Sequence, residues 1–531
     1  LKCYEKAEAL ISLDEGHILP KINILRDRAK AYAASGQTES AQSNLVSAIT
    51  LIEKNRANIE TGDQRIQFLA ASHSTFNQLI SLDVALGLTS EAFDMSESSR
   101  ARALLEDVSN ETEPGNRRSS IPQSSTKNLR QAGHVNPLKL GEVQSQLPED
   151  LTLLEYVVTD HRTYLLLVTR SRIKILESSA TTEVLDRLVH DYVSDLQQMT
   201  PIEEVNEKGR LLYDYLIRPV EEEIRGNANL CIVPDEALHF LPFAALVDQS
   251  GEYLIKSHRL TYAPSASVLV RCIKEYRAKP LTGFERILAV GNPEINRDSF
   301  PNLPSLPFAE TEAVESMRFY GPGSVVLTRE KATEPGVLAA MIDCDVAHLA
   351  LHCMIEEGSP GLAALILAGA DSGKTGVRHA LKPAPEAGSR AVTSDAIKRS
   401  APSGALPEEP VEDPNDGLLF LRELQHIKLP HTKLVVLSAC QSGLGQYYRG
   451  EGIVSLIRPF LASGVPTVAA SLWQVNERAT ADLMIEFHRQ RRLANKSAGG
   501  ALQAAEIKLS ESAAFRHPFY WAPFILVGAD N

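Results

Sequence analysis

The chain has 531 residues, 44% hydrophobic and 23% charged, enough for a soluble globular protein of two or more domains. Its 54 basic against 67 acidic residues leave a net charge of -13, which argues against a general nucleic-acid or anionic-membrane surface. No apolar run approaches the roughly 18 to 20 residues that span a bilayer, and the longest, near "LAALILAGA" and "VPTVAASLW", suit buried strands or helices.

Residues 1 to 107 are Ala- and Leu-rich, nearly free of Pro, and carry Gly where turns between helices would fall. In "RAKAYAASGQTESAQSNLVSAITL", Ala29, Tyr32, Gly36, Ala41, Leu45 and Ala48 place small residues where two antiparallel helices must touch. This resembles a tetratricopeptide repeat, with an ordinary helical bundle as the alternative, and a weaker copy follows with Gly87 and Ala92 in the places of Gly36 and Ala41. The chain opens on Leu1, and "CYEKAEAL" reads like the second half of an earlier repeat, so part of the N-terminal domain is expected to precede it. Residues 108–137 are rich in Ser, Asn, Gln and Pro and read as a linker.

From residue 138 the pattern changes to short apolar runs separated by helical stretches: "LTLLEYVV", "TYLLLVT", "NLCIVP", "RILAVG", "VAHLALH", "LVVLSAC", "PTVAASLW" and "FILVG". Strands alternating with helices predict an α/β domain over 138–531 with a largely parallel sheet. A Pro-, Ala-, Gly- and Ser-rich segment at 371–417 interrupts it and reads as an exposed insertion, with Lys374, Arg378, Lys382, Arg390, Lys398 and Arg399 as candidate sites of nicking.

Six cysteines, at 3, 231, 272, 344, 353 and 440, show no regular spacing and no leader segment opens the chain, so free thiols in a reducing cytoplasm are expected. One of them is singular. Cys440 ends the run "LVVLSA" and is followed by the glycine-bearing "QSGLG", where a nucleophile at the carboxyl end of a parallel strand would stand. His352 ends another such run, so two strands would deliver a thiol and an imidazole to one sheet edge. That pairing predicts a cysteine peptidase. A Cys after an apolar strand is otherwise most often a buried small hydrophobe.

Residues 138 to 528 resemble the CHAT peptidases, caspase-like domains found with tetratricopeptide repeats and related in fold to caspases and separases. The resemblance rests on "LPEDLTLLEYVV", "CIVPDEALHFLPFAALVD", "ILAVGNPE", "LPFAETEA", the histidine block "VAHLALHCMIEEGSPGLAALIL", the cysteine block beginning "LVVLSACQSGLGQYYRGEG" and the closing "HPFYWAPFILVG". It implies that Cys440 is the nucleophile, that His352 is the general acid–base, and that the main-chain N–H groups of Cys440 and Cys353 form the oxyanion hole. Cys353 departs from the family, which usually carries Gly after the histidine. The histidine and cysteine lie 88 positions apart, and removing the 371–417 insertion leaves a caspase-like separation.

Asp235, Ser442 and Glu451 fall in family-like blocks and are expected either to shape a substrate cleft or to act as caps and turn residues. Trp473 and Trp521 read as core anchors. His348, near Cys344 and Cys353, invites a zinc reading, but it sits in a strand pattern without the glutamate of H-E-x-x-H, so no metal is expected. No cofactor motif is present: "ADSGKTG" lacks the glycine spacing of a phosphate loop. The sequence therefore predicts a cysteine endopeptidase acting on a protein or peptide substrate, with a protein partner or activator on the repeats and neither nucleic acid nor membrane implied. The alternative is an inactive CHAT scaffold for protein interaction.

Overall fold

The computed structural model describes residues 18–59, 62–109, 135–280, 283–354, 363–369, 416–424, 427–439, 442–443 and 445–530. The 108–137 linker and the 371–417 insertion fall almost wholly outside them, as does Cys440. Among the described residues no helix is long and apolar enough to cross a membrane.

The N-terminal part consists of helix pairs. Ile18–Ala34 and Thr38–Arg56 pack as one hairpin, and Gly62–Ala85 and Thr89–Ser98 as the next, followed by the short helix Arg102–Ser109. Gly36 and Gly87 close the two tight turns at φ +77° and +73°, the left-handed region that a residue with a Cβ enters at a cost. Ala29, Ala41, Leu45 and Ala48 are buried between the helices, as their spacing requires.

The remainder is built on an eleven-stranded sheet. Among the described residues, this sheet and two small satellite sheets comprise β1 Leu151–Val158, β2 Thr163–Val168, β3 Ile173–Ser178, β4 Asn229–Val233, β5 Arg259–Tyr262, β6 Ile287–Pro293, β7 Val325–Arg329, β8 Val346–Ala350, β9 Cys353–Met354, β10 Ala364–Ile366, β11 Leu418–Phe420, β12 Leu434–Ser438, β13 Gly445–Tyr448, β14 Gly452–Ser455, β15 Thr467–Ser471 and β16 Phe524–Gly528. The main sheet runs β3-β2-β1-β4-β5-β16-β15-β12-β8-β6-β7. Its β1–β2, β2–β3 and β15–β16 pairs are antiparallel and the rest parallel. β8 and β12 are buried along their whole length, which explains their unbroken apolar runs: helices cover both faces of a parallel strand. Trp473 and Trp521 are buried, their indole N–H groups donating to Phe519 O and Arg516 O, each at 3.1 Å.

The helical layer and the sheet share one apolar core. Ile80, Phe93, Leu104, Leu105 and Val108 pack in the same cluster as the strands of the sheet. Polar contacts reinforce this: the Glu97 carboxylate accepts from Ala266 N and Ser267 N, both at 2.8 Å, and so caps the helix Ala266–Ala278.

Candidate active site

β8 and β12 are adjacent, parallel and in register from Val346↔Leu434 to Ala350↔Ser438. Both strands therefore end at the same level, and the chain leaves the sheet at one edge through Leu351–His352 and through Ala439. Cys440 follows Ala439 in sequence and lies outside the described residues.

His352 is half-buried, and its orientation follows from one bond. Its Nε2 lies 2.9 Å from the carbonyl oxygen of Pro304. A carbonyl can only accept, so Nε2 carries the proton and Nδ1 keeps the lone pair of the neutral ring. Burial lowers the imidazole's pKa below the ordinary 6.5, with the nearby Arg297 guanidinium acting in the same direction and the Pro304 hydrogen bond opposing it. The ring is thus held neutral, in one tautomer, at ordinary pH.

Pro304 is itself fixed. It belongs to the segment after β6, where the Arg297 guanidinium donates to Leu303 O and to Ser305 Oγ. Leu306 N donates to Asn292 Oδ1 at 2.8 Å, and Asn292 Nδ2 donates to Glu310 Oε2 at 2.9 Å. Ile295 and Phe300 of the same segment pack on Met354, Ala364, Ile366, Leu418 and Phe420 of the β9–β10–β11 sheet. Cys353 opens β9 in register with Leu365; it is buried and in strand conformation, so the backbone there has no glycine-only φ.

The shoulders of the Cys440 segment are pinned to the end of β15. Ser471 N donates to Ser442 Oγ at 3.0 Å, Gly443 N donates to Ser471 O at 2.8 Å, and Ser471 Oγ donates to Ala439 O at 2.7 Å. Ser442 Oγ also donates to Leu437 O at 3.0 Å. A Cβ on Gly443 would stand 3.0 Å from Ser471 O, tighter than an ordinary contact, so the close approach favours a glycine. Ser471 was not among the residues marked by sequence, because a serine ending an apolar strand carries no signal of its own.

Further along, the β13–β14 hairpin joins this segment to the helical layer. Gly450 O accepts from Ala101 N at 2.7 Å, with Ala101 held at φ +47°. The Glu451 carboxylate accepts from Ala103 N at 3.1 Å and Leu104 N at 2.8 Å, and pairs with Arg458 at 2.9 Å. Asp235 and Glu451 are both buried and bound to main chain: Asp235 Oδ2 accepts from Val158 N at 2.8 Å and Oδ1 from Glu236 N at 3.1 Å. Ser442 is likewise buried and bound to main chain, and Asp235 stands at the N-cap of the short 3-10 turn Glu236–Phe240.

Behind β8, His348 lies buried on the helix-covered face. Its Nε2 is 2.8 Å from Glu312 Oε1, out of line for a hydrogen bond, and its Nδ1 is 3.0 Å from His488 Nε2. His488 Nδ1 meets Tyr320 OH at 2.7 Å, and Tyr320 OH accepts from Arg491, which pairs with Glu285. His348 is therefore part of a structural polar chain, and Cys344, whose Sγ donates to Met341 O, is not joined to it.

The model of the CHAT domain family matches residues 206–529. This chain belongs to the CHAT family. Among curated proteins, the CHAT chain is similar to tetratricopeptide repeat protein 28 of Homo sapiens and of Mus musculus, 30% identical over 343 residues in each case. That alignment covers 60% of this chain and 13% of either relative, so the chain spans a small part of their length. Among solved structures it is similar to the Saccharomyces cerevisiae separase–securin complex, at TM-scores of 0.53 and 0.54 and 11% identity, over 97% of this chain and 40% of that one. This likeness extends through the helical layer as well as the sheet, and it establishes a shared fold for the CHAT chain.

Proposed function

We propose that this chain is a cysteine endopeptidase in which Cys440 is the nucleophile and His352 the general acid–base. The observation that supports it best is the shared exit level of β8 and β12, joined to an imidazole whose Nε2 is spent on Pro304 O and whose Nδ1 is left for chemistry. In this reading Nδ1 takes the thiol proton, and the thiolate adds to the scissile carbonyl to give a tetrahedral oxyanion. The main-chain N–H groups of Cys440 and Cys353 receive that charge. The imidazolium returns its proton to the leaving amine as the C–N bond breaks, leaving a thioester. Water, deprotonated at Nδ1, then releases the carboxylic acid and regenerates the thiol.

Residues 138–531 form the peptidase unit in this proposal, and the helices before it bind a protein partner or activator. The separase to which the fold is similar was solved with securin, a precedent for a protein partner. A cytoplasmic setting suits a reduced thiol. The test is digestion of a diverse peptide mixture by the parent chain, Cys440→Ala and His352→Ala, with new termini read by mass spectrometry. Cleavage by the parent alone supports the proposal. Silence of the parent, with and without extract of the source cells, overturns it in favour of an interaction scaffold.

A further inference from the structure

Between the helical layer and the sheet lies a buried polar cluster that the proposed peptidase chemistry does not use. His73 projects from the helix Gly62–Ala85, while Asp235 and Glu236 follow β4. One donor atom from each of the three lies within 4.8 Å of the other two, and all three residues are buried. Across a tetrahedral zinc ion the corresponding separation is about 3.4 Å, so small side-chain rotations suffice to close the set.

The imidazole is the anomaly. His73 is 2% exposed, and neither ring nitrogen makes a well-aligned hydrogen bond, the main chain of Ser99 being its one polar neighbour of that kind. At least one nitrogen of this buried ring is then left without a partner, which is unusual because buried polar atoms are otherwise satisfied. The carboxylates, in contrast, are already braced from behind. Asp235 accepts from Val158 N and Glu236 N; Glu236 accepts from Tyr447 OH at 3.2 Å and pairs with Arg449 at 3.1 Å. Such outer partners orient metal-binding carboxylates. Glu236 is also held at φ +49°, a costly conformation for a residue with a Cβ, and such strain concentrates at ligand sites.

We propose that His73, Asp235 and Glu236 bind one divalent metal ion, with one nitrogen and two carboxylate ligands, across the joint between the helical layer and the sheet. That donor set suits Zn(II), and its Co(II) substitute, better than Mg(II) or Ca(II), which take oxygen ligands alone. The ion would tie the helical layer to Glu236, and through Tyr447 and Arg449 to the β13–β14 hairpin.

The test uses the full chain carrying Cys440→Ala, so that the candidate nucleophile cannot supply a ligand, stripped with a chelator and titrated with Zn(II). One ion per chain by equilibrium dialysis is expected, with at least a tenfold loss of affinity in His73→Gln and in Glu236→Gln, each checked for native far-ultraviolet circular dichroism. Independently of any variant, X-ray absorption of the zinc-loaded chain is expected to show nitrogen and oxygen scatterers and no sulfur. Absence of stoichiometric binding, undiminished affinity in both variants, or a sulfur shell near 2.3 Å would each overturn the proposal.

Discussion

Ser438 and Ala350 face each other across the β12–β8 ladder, and each stands two positions before one member of the proposed dyad, Cys440 and His352. The proposed chemistry then depends on how far the imidazole is shifted from its ordinary pKa. Burial and Arg297 lower it, so the neutral base should persist below pH 6.5 and the acid limb of kcat/KM should lie below that value. Arg297→Gln removes a cation and is expected to move the limb to higher pH. Arg297→Lys, which keeps the charge and loses the fork to Leu303 and Ser305, should leave the limb near its original place while lowering kcat. A peptide-cleavage profile from pH 5 to 8 distinguishes the two effects.

Gly443→Ala places a Cβ at 3.0 Å from Ser471 O, a backbone atom of a central strand that cannot retreat. We expect a loss of about 1–3 kcal/mol in urea denaturation. Turnover should fall while substrate affinity is largely kept, because the displaced loop carries the proposed nucleophile rather than a remote subsite.

Glu451→Ala should cost about 3–5 kcal/mol, since it strips Arg458 of a buried partner and leaves Ala103 N and Leu104 N without their acceptor. Glu451→Gln keeps the acceptor and loses the charge, and is expected to cost less than half as much. Two separated unfolding transitions in the alanine variant, where the parent shows one, would mark uncoupling of the helical layer from the sheet.

His488 is buried and neutral, its pKa driven far below 6.5 by burial first, then by His348 and Arg491. The unfolded chain takes up a proton near pH 6.5 and the folded chain does not, so stability is lost as pH falls below that point. This one group contributes a slope of about 1.4 kcal/mol per pH unit. His488→Gln should reduce the measured slope between pH 6 and pH 5 by about one proton, in denaturation experiments at several pH values.

What the sequence made legible was whatever depends on local pattern. The runs ending at His352 and Cys440 stood out because a parallel strand buried on both faces must be apolar throughout, and Gly36 and Gly87 marked turns because few other residues tolerate positive φ. Hidden from it was whatever depends on distant main chain. Pro304 serves through a carbonyl that every residue possesses, 48 positions before His352. Glu451 meets Leu104 N across 347 positions, and Asp235, read as a cleft residue or a cap, proves to bind main chain inside the fold. His73 gave no sign at all, since its neighbours Asp235 and Glu236 come from the far side of the linker.

β16 is the final strand of the main sheet in sequence, yet it lies between β5 and β15. It is the seam between a half that carries β1 to β5 and a half that carries β8 and β12. During synthesis from the N-terminus, the second half therefore waits with the edge of β15 unpaired until Phe524–Gly528 has left the ribosome. A chain cut short before that strand would hold both members of the proposed dyad in its sequence and still lack the joint that unites its two half-sheets. Among the described strands, the order thus makes the joining of the two half-sheets depend on the last of them to be synthesised.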